Sequence, residues 1–382
     1  MNHNRQIEKK GRFIIAGGGT GGHIFPALAI AHALKKNCPD AEILFVGAKG
    51  KMEMEKVPEA GFTIVGLDIA GFNRSSLIKN ISLPFKLIKS FFQVKKIVAE
   101  FKPDAVIGVG GYSSFPVLRY AQSKNIPSFI HESNSFAGKS NQLLGKKATI
   151  VFTATDGMEK FFPPEKIIIS GNPIRQNLVN NTVSRAEAIR HFGLDENRKL
   201  VLSIGGSLGA QSINSAIAAQ LDAFEKNDLQ LIWQTGKPFK EEALRLTKGR
   251  ENIVATDFIQ QMDYAYRAAD IVISRSGAMA IAELAVMKKP AVLVPYPFAA
   301  EDHQTVNAQN LVNKSAAIMV PNGEAEDKLI ETVLALSKNE AAQQDMKDQI
   351  GKWAVTDADD RIANAILKTL EIKHENGAST DI

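Results

Sequence analysis

The sequence predicts an α/β chain built as two doubly wound, parallel-sheet domains, and three observations carry that expectation. Short β-branched runs alternate with longer stretches of helical period, the mark of successive βαβ units. The alternation restarts after Gly171-Asn172-Pro173, and each half opens with a strand that runs into glycines. At 382 residues the chain also exceeds one ordinary domain of roughly 100–200 residues.

Taken in order, the runs Phe13–Ala16, Glu42–Val46, Thr63–Leu67, Ala105–Val109, Ser128–His131, Ile150–Thr153 and Ile167–Ser170 read as strands of a first domain. Gly-Asn-Pro then breaks regular structure, and a polar connector places the boundary near Asn172–Thr182. A charged helix near Arg185–Phe192 leads into strands at Leu200–Ile204, Gln230–Thr235, Ile253–Thr256, Ile271–Ser274 and Ala291–Pro295. The domains are therefore expected at 1–175 and 176–355, as two similar units facing each other. Asp357-Ala358-Asp359 reads as the N-cap and acidic first turn of a last helix rather than as a metal-chelating triplet.

Composition excludes several classes. With 45% hydrophobic and 23% charged residues the chain is of ordinary globular make-up, and its apolar runs are strand-sized, far short of the ~20 residues of a spanning helix. The basic, polar start shows no signal-peptide pattern, so the protein is expected to stay in the cytoplasm. A single cysteine, Cys38, excludes an intramolecular disulfide and a Cys-based zinc site.

Charge is lopsided. Residues 1–174 hold 23 Lys and Arg against 13 Asp and Glu, whereas residues 175–382 hold 23 against 28, so the first half should meet something anionic. Between Phe72 and Ala99 there are six cations and no acid, interleaved with apolar residues. Leu77, Ile78, Ile81, Leu83 and Phe85, with Lys86 and Lys89, suit a membrane interface, apolar side chains down and lysines at anionic headgroups. A core-packed helix with a lysine outer face is the plainer alternative, and it is favoured for Phe92–Ile97. Nucleic acid is not expected as a partner, because no recognised binding module accompanies the patch.

Three glycine segments can hold phosphate. Gly17–Gly22 and Gly205–Gly209 each follow a strand and precede a helical pattern, Phe25–Leu34 and Ser212–Leu221, so backbone N–H groups and a helix N-terminus converge there. Gly108–Ser114 is the third. No Lys-Ser/Thr follows either helix-leading turn, which excludes a P-loop, and a tight turn without ligand remains the alternative for any one of them. Ser274–Glu283 ends a strand and starts a helix, placing Glu283 where a carboxylate can accept ribose hydroxyls; a surface glutamate favoured by the helix dipole is an equally natural alternative. His23, at the first glycine turn, can act as a base near neutral pH, although a lone histidine more often caps a helix or satisfies a core hydrogen bond. His131-Glu132-Ser133-Asn134 follows a strand and can either supply polar ligand contacts or hydrogen-bond itself.

Together, Gly17–His23, Gly110–Pro116, His131–Asn134, Gly171–Arg175, Gly205–Ala210 and Ser274–Ala278 resemble the bacterial MurG family, collinearly over roughly residues 12–320. The resemblance implies a GT-B fold, two Rossmann-like domains around a central cleft, with a last helix at about 356–375 packing back on the first domain. It implies transfer of N-acetylglucosamine from UDP-N-acetylglucosamine to the C4 hydroxyl of undecaprenyl-linked lipid I, with inversion, forming lipid II. A glycolipid-forming enzyme of the same fold using another UDP-sugar is the alternative.

The resemblance also distributes roles. Ser207 and Ala278 fall at the donor diphosphate, Met279 in the donor site, Glu283 at the ribose, Arg175 and the Ile259 backbone at the uracil side, and Asn134 and Gln304 at the donor sugar. Thr20, Gly21 and Gly22 are assigned to the donor and, with Gly19, Gly110, Gly111 and Tyr112, to the acceptor diphosphate. His23 matches the family's usual candidate for the general base. His303 stands where some members carry the first of two glutamines. No obligatory protein-bound metal or other cofactor is expected, since helix N-termini can stabilise the departing diphosphate. Implied partners are the anionic inner leaflet and other cell-wall synthesis proteins, at the cytoplasmic face of the cell membrane.

Overall fold

The computed structural model describes residues 11–71, 83–206 and 208–372. These form two compact units, one running to Ile174 and resuming at Asp357, the other spanning Arg175–Thr356.

In the first unit, β1 (Arg12–Ala16), β2 (Glu42–Ala48), β3 (Thr63–Leu67), β4 (Ala105–Gly108), β5 (Ser128–Glu132), β6 (Ile150–Thr153) and β7 (Ile167–Ile169) form one parallel sheet in the order 3-2-1-4-5-6-7. Its central strands are apolar on both faces because both faces are covered. Phe13 and Ile15 pack with Ile30 and Leu34 of the helix Gly21–Asn37. Ile14 and Ala16, pointing the other way, pack with Val94, Val117 and Leu118. Each large apolar side chain so buried contributes about 1.5–3 kcal/mol.

The last helix, Ala358–Thr369, joins this same unit through Ile362, Ile366 and Leu367, buried in the layer of Phe13 and Ile15. Lys36 to Asp360 (2.7 Å) and Asn37 to Asn364 (2.9 Å) tie its outer edge to the first helix. The expected N-cap bond is not made. Asp357 has φ −123° and ψ 20°, outside the extended region from which a cap side chain reaches back, and its carboxylate pairs with Arg361 at 2.9 Å.

The second unit repeats the plan with β8 (Lys199–Ile204), β9 (Leu229–Gln234), β10 (Ile253–Thr256), β11 (Ile271–Ser274), β12 (Ala291–Leu293) and β13 (Ile318–Met319), all parallel, in the order 10-9-8-11-12-13. Trp233, Ile273, Val292 and Leu329 share its core. Sequence reading missed β13, whose two half-buried residues are too few to show a period. It also ran the Ser212–Leu221 helix through Gln220, where the chain breaks into helices Gln211–Ala219 and Leu221–Lys226.

In each unit the strand order reverses beside its first strand, so crevices open at the carboxyl ends of β1 and β4 and of β8 and β11. The glycine segments lie at those ends. No described helix is long and apolar enough to cross a membrane.

Candidate active site

At the first crevice, Gly17 to Thr20 turn the chain from β1 into the helix Gly21–Asn37, whose N-cap Thr20 makes no side-chain cap bond. Gly21 and Gly22 are that helix's first residues, where unsatisfied N–H groups and the dipole favour an anion. Gly19 behaves differently from expectation. Its N–H donates to Oε2 of Glu53 at 2.9 Å, so that donor is already committed to a buried carboxylate rather than offered to a diphosphate. Gly18 must be glycine here, because with φ +150° its absent Cβ would run into the Glu53 carboxylate.

His23 sits on the first turn of the helix with Nδ1 3.1 Å from the Gly18 carbonyl oxygen and 3.4 Å from Thr20 Oγ1. A carbonyl only accepts, so Nδ1 carries the hydrogen and the neutral ring has its lone pair on Nε2. Gly110 and Gly111, after β4, close on this ring. A Cβ at Gly110, φ +97°, would stand 2.7–2.8 Å from the His23 ring. Tyr112 follows, half-buried, with its hydroxyl buried and without a hydrogen-bond partner. Burial and then the nearby Glu53 charge raise its pKa.

The segment after β5 mostly bonds to itself. His131 is buried, its Nε2 donating to the Gly171 carbonyl at 3.2 Å, and burial lowers its pKa to about 4. Glu132 accepts from the Asn134 backbone (3.1 Å) and side-chain amide (3.2 Å), from Gly138 (3.2 Å) and from Asn141 (2.9 Å). That fixes Asn134 through its backbone and side-chain N–H groups.

In the second unit, Gly205 to Ala210 turn β8 into the helix Gln211–Ala219, again without a side-chain cap. Gln234 holds this turn by donating to the Gly206 carbonyl at 3.0 Å. Ser207 lies outside the described residues. After β11, Arg275 points across the carboxyl ends of the strands, donating to the Val294 and Pro295 carbonyls (3.0 Å each), Asn322 Oδ1 (2.8 Å) and Ser212 Oγ (3.1 Å). These partners are all neutral, and the Tyr296 ring lies 5.6 Å from the guanidinium, so dipoles and a ring face hold a positive charge beside a helix start; burial lowers its pKa to about 10.

Ala278 and Met279 are the first residues of the helix Ala278–Val286, and Glu283 is buried on its second turn. Arg175 donates from Nε (3.1 Å) and Nη2 (2.8 Å) to Glu283 Oε1, and the Tyr266 hydroxyl donates to Oε2 at 3.1 Å. Burial opposes the Arg175 charge, but Glu283 outweighs it and raises its pKa; burial and then Glu283 push the Tyr266 phenol well up. Sequence reading named Arg175 and Glu283 separately and missed Tyr266, although a tyrosine inside a helix's apolar face needs a hydroxyl partner.

Gln304, second in the helix His303–Val312, accepts the Tyr296 N–H at 3.0 Å, and its carbonyl accepts Ser276 Oγ at 2.8 Å. His303 opens that helix after left-handed Glu301 and Asp302. Ile259 is buried, leaving its backbone as the group a base could meet. Among the described residues no three His, Cys, Asp or Glu side chains are grouped to hold a metal ion.

The amphipathic stretch is a helix over Leu83–Phe101; Leu77, Ile78 and Ile81 lie outside the described residues. Ser90, Val94 and Val98 face the core, while Phe85 (74% exposed), Ile88 (57%) and Phe92 (68%) face out beside Lys86. Phe92 thus belongs to the outer face, against the expectation of a core-packed 92–97, because residues four apart from Ser90 take the inner stripe. Leu83 is half-buried, and Lys89 pairs with Asp68 at 2.9 Å.

Residues 13–153 match the glycosyltransferase family 28 N-terminal domain and residues 200–362 its C-terminal domain. A curated UDP-N-acetylglucosamine--N-acetylmuramyl-(pentapeptide) pyrophosphoryl-undecaprenol N-acetylglucosamine transferase from Phocaeicola vulgatus is 48% identical over 375 residues, 97% of this chain and 100% of the relative. One of the same description from Porphyromonas gingivalis is 46% identical over 380 residues, 99% of this chain and 100% of its own. The crystal structure of Acinetobacter baumannii MurG superposes with a TM-score of 0.72 at 28% identity, covering 94% of this chain and 100% of that one. A S. aureus MnaA-UDP co-structure, at 16% identity and a TM-score of 0.67 over 95% and 97% of the two chains, shares the fold.

Proposed function

The chain belongs to the MurG family within glycosyltransferase family 28, and from that premise we propose how its residues carry the family's reaction. The protein is a GT-B glycosyltransferase that moves N-acetylglucosamine from UDP-N-acetylglucosamine to lipid I, forming lipid II. The observation that carries the residue assignment is the crevice of the second unit. Two helix N-termini and the Arg275 guanidinium meet at the carboxyl ends of β8 and β11, with Glu283 one to two turns along.

That arrangement suits a nucleoside diphosphate. The helix starts and Arg275 offset the charge that grows on the leaving diphosphate, which is the role a metal would otherwise fill, so we assign no resident metal. Glu283, held by Arg175 and Tyr266, keeps one lone-pair direction on Oε2 for a ribose hydroxyl.

On the acceptor side, Nε2 of His23 takes the proton as the C4 oxygen of the muramoyl sugar attacks the anomeric carbon. The bond from that carbon to the diphosphate breaks on the opposite face, and its electron pair leaves on UDP. Inversion follows from the single displacement, through an oxocarbenium-like transition state. The outer face of the helix Leu83–Phe101, with Phe85, Ile88 and Phe92 beside Lys86, docks the protein peripherally on the anionic cytoplasmic leaflet where lipid I is held.

The test is incubation of the protein with a lipid I analogue and radiolabelled UDP-N-acetylglucosamine, UDP-glucose or UDP-galactose in parallel. Label enters lipid from the first donor alone. Equal transfer from UDP-galactose would contradict the assignment.

A further inference from the structure

Glu53 is buried to 1% exposure at the start of the helix Glu53–Glu59, and the reaction scheme above leaves it unused. Its Oε1 accepts the Ala48 N–H at 3.0 Å and its Oε2 accepts the Gly19 N–H at 2.9 Å. The Gly19 N–H and the Gly18 carbonyl belong to one peptide unit, and that carbonyl oxygen is the acceptor of His23 Nδ1–H at 3.1 Å. Resonance couples the two ends of a peptide, so a carboxylate drawing on the N–H puts more negative charge on the carbonyl oxygen. A Cβ at Gly47 would stand 2.5 Å from Glu53 Cγ, so the chain is glycine where the side chain enters as well as at Gly18 above it.

We propose that Glu53 is a positioning residue for proton transfer: through the Gly18–Gly19 peptide it holds His23 as the Nδ1–H tautomer, presents Nε2 as the base and stabilises the imidazolium. This rests on the reading of His23 as the base. The proton balance is simple: the acceptor's O–H bond breaks, its hydrogen passes to Nε2 as the oxygen bonds the anomeric carbon, and the ring's new positive charge is shared along Nδ1–H to the polarised carbonyl. Thr20 Oγ1 and His131 also act on the ring, and Tyr112 lies against Gly19. Burial keeps His131 neutral at working pH and Tyr112 protonated, so neither replaces the carboxylate.

The test is a set of pH–rate profiles of Glu53→Gln, Glu53→Asp, His23→Ala and the His23→Ala/Glu53→Gln double variant. Glu53→Gln is expected to lower kcat about tenfold, less than the ~10²–10⁴-fold of losing the base itself. Its KM for UDP-N-acetylglucosamine stays unchanged. The acid limb of kcat/KM moves to lower pH, because removing negative charge disfavours the imidazolium. Glu53→Asp, which keeps the charge, restores the limb, and in the His23→Ala background Glu53→Gln costs nothing further. Equal losses in both backgrounds with an unmoved limb would overturn the inference while leaving His23 as the base. Full turnover by His23→Ala would instead overturn the base reading, and this inference with it. Should Glu53→Gln fail to fold, ¹⁵N-histidine NMR of the unaltered protein decides the matter. Neutral His23 in the Nδ1–H form is expected, and the Nε2–H form would refute the proposal.

Discussion

The Tyr266 hydroxyl lies 3.1 Å from Glu283 Oε2 while Arg175 occupies Oε1, so one buried carboxylate is clamped on both oxygens. Its rotamer is fixed before any nucleotide arrives. Removing the phenol in Tyr266→Phe should cost about 1 kcal/mol of stability and weaken UDP several-fold through a less ordered Glu283. Arg175→Ala should cost about 3 kcal/mol, since it strands the carboxylate. Denaturant titration and calorimetric UDP binding measure both. Unaltered UDP affinity in Tyr266→Phe would detach the clamp from nucleotide recognition.

His23→Ala should lower kcat by about 10²–10⁴-fold and leave the dissociation constant for UDP-N-acetylglucosamine nearly unchanged, because the ring lies in the first unit whereas Arg275, Glu283 and the two helix starts proposed to hold the nucleotide lie in the second. Steady-state rates paired with calorimetry separate the two effects. Turnover equal to that of the unaltered protein would remove His23 from the chemistry.

Burial holds the His131 pKa at about 4, against 6.5 for the unfolded chain. The neutral ring is the folded form, so the unfolded state binds the extra proton between those values. The contribution is complete above pH 6.5 and is lost as pH falls through 4, to the extent of about 3 kcal/mol. Unfolding free energy measured from pH 7 to 4 should decline in this window, and less steeply in His131→Gln. Parallel slopes would show that another group carries the acid sensitivity.

Phe85 and Phe92 project from the helix Leu83–Phe101 with 74% and 68% of their surface exposed. Changing both to serine should leave stability within about 0.5 kcal/mol, yet reduce sedimentation with phosphatidylglycerol vesicles at least tenfold. Added salt should weaken binding of the unaltered protein, as expected of lysines at headgroups. Undiminished vesicle binding would place the membrane contact elsewhere.

Turnover in metal-free buffer should survive EDTA, because the helix starts and Arg275 are proposed to meet the diphosphate charge. Loss of activity restored by a divalent cation would show that these groups are insufficient.

What the sequence made legible was whatever has a local period or a local break. Ile14, Ile15, Val106 and Ile107 are apolar on both faces and announce central strands, and the glycines after β1 and β8 mark the turns that carry the site. The clamps were hidden because their partners are distant in the chain. Glu53 is 34 residues from Gly19, and Arg175 is 108 from Glu283. Nothing near either residue signals the pairing, and Gly19 was therefore read as a phosphate donor when its N–H serves a carboxylate. Tyr266 shows the same limit: its helix position reads as core, and only the fold reveals what its hydroxyl meets.

The most direct test of the central claim is the linkage in the product. NMR of the disaccharide formed from UDP-N-acetylglucosamine and a lipid I analogue should show N-acetylglucosamine joined β to O4 of the muramoyl sugar. An α linkage, or attachment at another oxygen, would contradict single-displacement transfer by this site.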